Sequence, residues 1–101
     1  MTEPMDINWT TPEGNHDGGI STGIGYTIAW QRGASTEGGR NGAHIIEVVE
    51  SCLSQMRYLN TSKFACKENA IAITHLEQAL EAMKERRDRR RNEGTLGTTN
   101  P

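Results

Sequence analysis

The sequence predicts an α+β protein, a small N-terminal β element followed by an antiparallel two-helix hairpin, that works as an oligomer. Three observations carry this. In "GYTIAWQRG" (Gly25 to Gly33), Tyr26, Ile28 and Trp30 fall two apart between glycines, the period of a strand. Beyond Ala43 the apolar spacing changes to that of helices. With 101 residues, 34% apolar and 5% aromatic, a single copy has too little apolar material for a thick core.

Taken in order, residues 1–24 are rich in glycine and polar side chains and read as a flexible segment. One short alternation, "DINWTT" (Asp6 to Thr11), suggests a strand within it. The strand at Gly25–Gly33 opens a single domain spanning residues 25–95, and residues 96–101 form a tail. "GASTEGGRNG" reads as a loop, with Asn41 placed to cap the first helix. That helix runs from Ala43 to about Asn60, with Ile45, Val49, Cys52, Leu53 and Met56 on one face. After a break at "NTSK", a second helix runs from about Cys66 to Arg91 on the apolar stripe Ile73, Leu76, Leu80 and Met83. Gly94 is placed to end it. Two one-sided stripes cannot close a full layer of core, so a second chain is expected to pack against the hairpin.

Charge is unevenly placed. The net charge is −2, yet Lys84–Arg91 holds six of the eleven basic residues in eight positions. Two or three of these cations complement the negative end of a helix dipole. The remainder repel one another unless an anion or acidic group is near, and arginine suits bidentate phosphate contact and stacking. Asn69 falls in the middle of the apolar stripe of the second helix. It either satisfies the chain end and preceding loop or reads a ligand edge or partner helix. Tyr58 points away from the stripe of the first helix, beside Arg57. Either it is an ordinary exposed ring, or ring and guanidinium together stack a nucleobase. Trp30 and Tyr26 fit a core better than a site.

Other chemistries find no support. The glycines of "GIGYTIAW" lack dinucleotide-fingerprint spacing, and no P-loop is present. His16, His44, His75, Cys52 and Cys66 lack zinc-ligand spacing, so neither metal nor cofactor is expected. No nucleophile stands with a base, and no carboxylate pair suggests acid–base work, which favours a binding protein over an enzyme. The N-terminus lacks a signal-peptide pattern and no apolar run approaches the roughly 20 residues of a membrane span. A reduced cytoplasmic setting follows. The negative net charge argues against general nucleic-acid binding, leaving a regulator of that kind supported only by the basic helix end.

Three stretches, "YTIAWQRG", "RNGAHIIEVVESCLSQMRYLN" and "FACKENAIAITHLEQALEAMKERRDRRRNEGT", resemble the phage Thoeris anti-defence protein 1 family, whose hairpin is shared with the phage anti-CBASS protein 2 sponges. The likeness covers about Gly25 to Thr95. It is carried by Asn41-Gly42, the pair Arg57-Tyr58, "CKEN" at Cys66–Asn69, and the ending Arg86, Arg90, Glu93-Gly94. The resemblance implies a phage protein in the host cytoplasm that sequesters cyclic ADP-ribose isomers, such as glycocyclic ADP-ribose, made by Thoeris TIR enzymes, without cleaving them. It further implies cyclic di- or trinucleotides as additional or alternative ligands, and a homo-oligomer, a dimer or a higher assembly such as a hexamer. By position, ligand binding is implied at Arg57, Tyr58, Asn69, Arg86 and Arg90, and also at Arg40 and Asn41. The chain departs from the family at Leu59, often a second aromatic, at Arg87, usually threonine, and at Leu96, usually histidine. A cyclic ADP-ribose isomer offers a pyrophosphate for arginine, an adenine to stack and polar edges for asparagine.

Overall fold

A computed structural model describes residues 5–100. The elements are strands β1 (Met5–Thr10), β2 (His16–Gly23) and β3 (Tyr26–Trp30), a short helix α1 (Ser35–Gly38), and helices α2 (Ile45–Leu59) and α3 (Lys67–Asn92). The described chain is α+β and forms two compact units, one of residues 5–44 with 97–100, the other of residues 45–96.

The first unit is built on an antiparallel meander of order β1-β2-β3. Ile7 faces Ile20, which faces Ala29, and Ser21 faces Ile28. Trp30 donates its Nε1–H to Ser21 Oγ at 2.7 Å, tying the end of β3 back across β2. The chain then returns beside β3. Ala43 N–H donates to Ala29 C=O at 2.8 Å, and Gln31 N–H donates to Ala43 C=O at 3.0 Å. At the far end of the sequence, Gly97 C=O accepts both the Thr36 N–H (3.2 Å) and the Thr36 hydroxyl (2.9 Å), so residues beyond α3 pack on α1.

Strand β2 is a correction to the reading of residues 1–24 as flexible with one short strand. Its "HDGGISTG" composition suggests turns, yet Gly18 and Gly19 are buried within a strand. A Cβ at Gly19 would fall 2.1 Å from Ile7 C=O, so glycine is there to let two backbones approach, next to a register shift between Asn8 and Thr10. Strand β1 overlaps the predicted Asp6–Thr11 segment.

The second unit is the helical hairpin. Both helices lie within a residue or two of their predicted bounds, but the α2 stripe is displaced. Ile46, Val49, Leu53, Met56 and Asn60, spaced 3-4-3-4, are less exposed, as is Val48 beside them, while Ile45 is 60% exposed and Cys52 is exposed. On α3 the matching row is Asn69, Ile73, Leu76, Leu80, Met83, Arg87 and Arg90, spaced 4-3-4-3-4-3. These seams face each other, and Leu53 and Leu80 are buried between them. Ile45, Cys52 and Leu59, spaced seven apart on α2, remain exposed.

Helix α3 ends in a Schellman turn. Thr95 N–H donates to Arg90 C=O at 2.8 Å and Gly94 N–H to Arg91 C=O at 3.2 Å, with Gly94 at φ 74° as the sequence predicts. A side chain at this φ costs about 1–2 kcal/mol. Gly94→Ala is therefore expected to lower the thermal midpoint of the hairpin by several degrees. An unchanged midpoint by circular dichroism would show that the turn contributes nothing to stability.

Candidate ligand site

The predicted site residues divide among different surroundings. In the sheet unit, Arg40 donates from Nε to Gly42 C=O at 2.8 Å. Asn41 does not cap α2, which begins four residues later. Its Oδ1 accepts the Arg32 N–H at 2.8 Å while its Nδ2 donates to Arg32 C=O at 2.8 Å, and its N–H donates to Gln31 Oε1 at 3.0 Å. Gln31 Nε2 completes the clamp on Gly39 C=O at 3.0 Å. Asn41 thus holds the loop that carries Arg40, with its amide engaged on both sides.

In the hairpin, Arg57 and Tyr58 diverge. Neighbours on a helix point about 100° apart. Arg57 Nη2 reaches Glu77 Oε2 at 3.0 Å and borders a groove of about 670 Å³ over Leu53 and Leu80. Five carboxylates line that groove, Glu77 and Glu81 among them, against only Arg57 and Lys84. A phosphate entering it meets net repulsion. Tyr58 is 74% exposed and borders a different cavity, of about 510 Å³, at the tip of the hairpin, together with Leu59, Phe64 and Gln55.

Asn69 makes a contact with the preceding loop, as the first of its two readings expects. Its Nδ2 donates to Phe64 C=O at 3.0 Å, across the connection between the helices. Asn60 Oδ1 accepts the Cys66 N–H at 3.2 Å in the same connection.

The arginine run is largely neutralised within its own helix. Arg89 pairs with Glu93 at 3.2 Å, while Arg87 and Arg91 each stand 3.5 Å from Asp88. Arg90 is 7% exposed, and its Nη2 donates to Thr95 C=O at 2.8 Å inside the terminal turn. It continues the inward seam of α3, which is why it is buried. Arg86 lies off that seam, is exposed, and alone among the five arginines has no hydrogen bond or ion pair among the described residues.

Spacing along α3 sets a further constraint. Asn69 and Arg86 are 17 residues apart, about 25 Å at 1.5 Å per residue. Pockets for small ligands, roughly 300–1,000 Å³, are about 10 Å across. One chain therefore does not bring Tyr58 and Asn69 to the same small ligand as Arg86 and Arg90.

Sequence reasoning passed over Gln55, Phe64 and Lys63. Phe64 is 60% exposed on the Tyr58 cavity, and Lys63 Nζ lies 5.2 Å from its ring centroid. Gln55 was legible as the residue one helical turn before Tyr58. The placement of Phe64 depends on a loop for which no periodicity speaks.

Burial, with a smaller contribution from the Arg40 guanidinium, holds the His44 imidazole below its ordinary 6.5. The unfolded chain therefore takes up this proton more readily than the folded one. The His44 contribution to stability is full above 6.5 and is lost as pH falls toward the folded value. Denaturant unfolding at about pH 7.5 and about pH 5.5 is expected to show a smaller acid loss in His44→Gln than in the parent. Equal losses would remove His44 from the account.

The Acb2/Tad1 hairpin domain matches residues 24–87. Thoeris anti-defense 1 of Bacillus phage SBSphiJ7 is 38% identical over 72 residues, which are 71% of this chain and 51% of that protein, so the chain spans about half the length of this curated relative. The matched region holds β3, α1, α2 and most of α3, including Arg40, Asn41, Arg57, Tyr58, Asn69 and Arg86. With the observed sheet and hairpin, these matches place the chain in the Acb2/Tad1 hairpin domain family.

Proposed function

We propose that this chain is a phage anti-defence protein that binds a cyclic ADP-ribose-type signal, such as glycocyclic ADP-ribose, in the host cytoplasm and withholds it intact. The observation that carries the reading is Arg86, an exposed guanidinium without an internal partner in a run otherwise occupied by Asp88, Glu93 and Thr95. Such a group suits a ligand phosphate. The relative's name, Thoeris anti-defense 1, and its phage source support the anti-defence role. No side chain is assigned a bond-breaking role, so the signal is expected to leave the protein chemically unchanged.

In this proposal the site is shared between copies. The exposed row Ile45, Cys52 and Leu59 supplies an apolar surface for a second chain. An antiparallel partner brings its Arg86 beside Tyr58 and Asn69, closing the 25 Å gap. Arg90 fixes the end of α3 and so aims Arg86, Asn41 does the same for Arg40, and Arg57 orders the hairpin beside the site through Glu77.

Calorimetry and native mass spectrometry against cyclic ADP-ribose isomers, cyclic di- and trinucleotides, and duplex and single-stranded nucleic acid test the reading. Binding of a cyclic ADP-ribose isomer, recovered intact after heat denaturation, is expected. Exclusive binding of cyclic oligonucleotides would move the chain to that ligand class, exclusive binding of nucleic acid to a regulator, and recovery of cleaved signal would make it an enzyme. Loss of Arg86 removes a charge-assisted contact worth on the order of 1.5–3 kcal/mol, so Arg86→Ala should weaken binding roughly tenfold or more with the oligomer retained. Arg89→Ala should stay within a few-fold, by about the worth of an exposed pair. Arg90→Ala should lower both binding and the thermal midpoint. Equal small losses for all three would reduce the run to a diffuse positive field.

A further inference from the structure

The tip of the hairpin carries two exposed rings on one cavity, and among the described residues only Phe64 has a ring contact within the chain, from Lys63. Isolated exposed aromatics are ordinary, but Tyr58 at 74% and Phe64 at 60% exposure share a concave surface of about 510 Å³. That volume is in the range of pockets for small ligands. The two rings come from different elements, Tyr58 from the last turn of α2 and Phe64 from the connection that follows.

This connection is fixed by its own hydrogen bonds. Thr61 Oγ–H donates to Tyr58 C=O at 2.7 Å and Ser62 Oγ–H to Leu59 C=O at 2.5 Å, while Ser62 Oγ accepts the Phe64 N–H at 3.1 Å. Asn69 Nδ2 then holds Phe64 C=O at 3.0 Å. The two hydroxyls bordering the cavity are therefore committed to shaping the loop. Gln55 is different. It lines the same cavity, and its side-chain amide has no partner among the described residues. An amide sets a donor beside an acceptor, the arrangement that pairs with the edge of an adenine. Lys63, 5.2 Å from the Phe64 centroid, brings a positive charge to the rim.

We propose that Gln55, Tyr58 and Phe64 form a purine subsite, in which the two rings supply stacking surfaces and the Gln55 amide reads the base edge. Asn69 is a positioning residue here, acting through the Phe64 backbone. The subsite rests on the reading of the chain as a binder of an adenine-containing signal, and it names the residues that select the base within that reading.

The test uses the full chain, with cyclic ADP-ribose and inorganic pyrophosphate as probes in calorimetry. Stacking on one ring is worth enough for about a tenfold change, so Phe64→Leu should weaken cyclic ADP-ribose binding by roughly that factor. Phe64→Tyr, which keeps a ring, should remain within a few-fold, and Gln55→Leu should lose several-fold. Pyrophosphate, which has no base, should bind all variants like the parent. A parent that binds pyrophosphate but no cyclic ADP-ribose would overturn the sponge reading and the subsite with it. A parent that binds cyclic ADP-ribose while Phe64→Leu and Gln55→Leu bind equally well would overturn the subsite alone. Equal losses for both probes would assign these residues to the fold and also overturn it.

Discussion

Contact between Leu53 and Leu80 across the two helices is the constraint on which the hairpin depends. They are its only buried apolar side chains among the described residues, so the α2–α3 seam is narrow. Its 3-4 spacing brings Met56, Leu76 and Ile73 toward the tip and carries Met83, Arg87 and Arg90 toward the other end. An arginine at the end of an apolar seam must find an acceptor, and Arg90 finds it in Thr95 C=O, within the turn that Gly94 closes. The seam thereby also fixes which arginines are structural and which face solvent.

The same narrowness leaves surface to spare. Ile45, Cys52 and Leu59 repeat every seven residues on a side of α2 that α3 does not cover. Electrostatics sorts the remaining surface. The central groove carries five carboxylates, whereas the ends of the hairpin offer Lys63 and aromatic rings at one and Arg86 at the other. For a phosphorylated ligand, Lys63 and Arg86 are favourable contacts and the acidic groove, which reaches Glu85 and Asp88, is not. A site joining opposite ends of two antiparallel chains reconciles this charge pattern with the 25 Å separation along one helix.

Much of this was legible in the sequence. Helix period, the break at "NTSK" and Gly94 placed both long helices, since local propensity and tertiary packing agree there. The stripe of α2 was displaced because Ile45 and Cys52 are as apolar as Ile46 and Val49, and only the partner helix decides which row is covered. Strand β2 was hidden by Gly18 and Gly19, which serve close approach of strands in a segment whose composition resembles turns. Asn41 is a good helix cap by type, but its amide found both backbone groups of Arg32 instead. The burial of Arg90 could have been read from the seven-residue row beginning at Asn69. The meeting of Tyr58, Gln55 and Phe64 could not, because a loop held by Ser62, Thr61 and Asn69 sets it.

Complementation between two defective chains tests the shared site most directly. Tyr58→Ala and Arg86→Ala each damage one half of the proposed site, and they would be unfolded together, refolded, and titrated with a cyclic ADP-ribose isomer. Sites built between copies predict that the mixture regains full-affinity sites absent from either variant alone, about a quarter of the total for random pairing in a symmetric dimer. A mixture that binds no better than its two components would contradict the shared site.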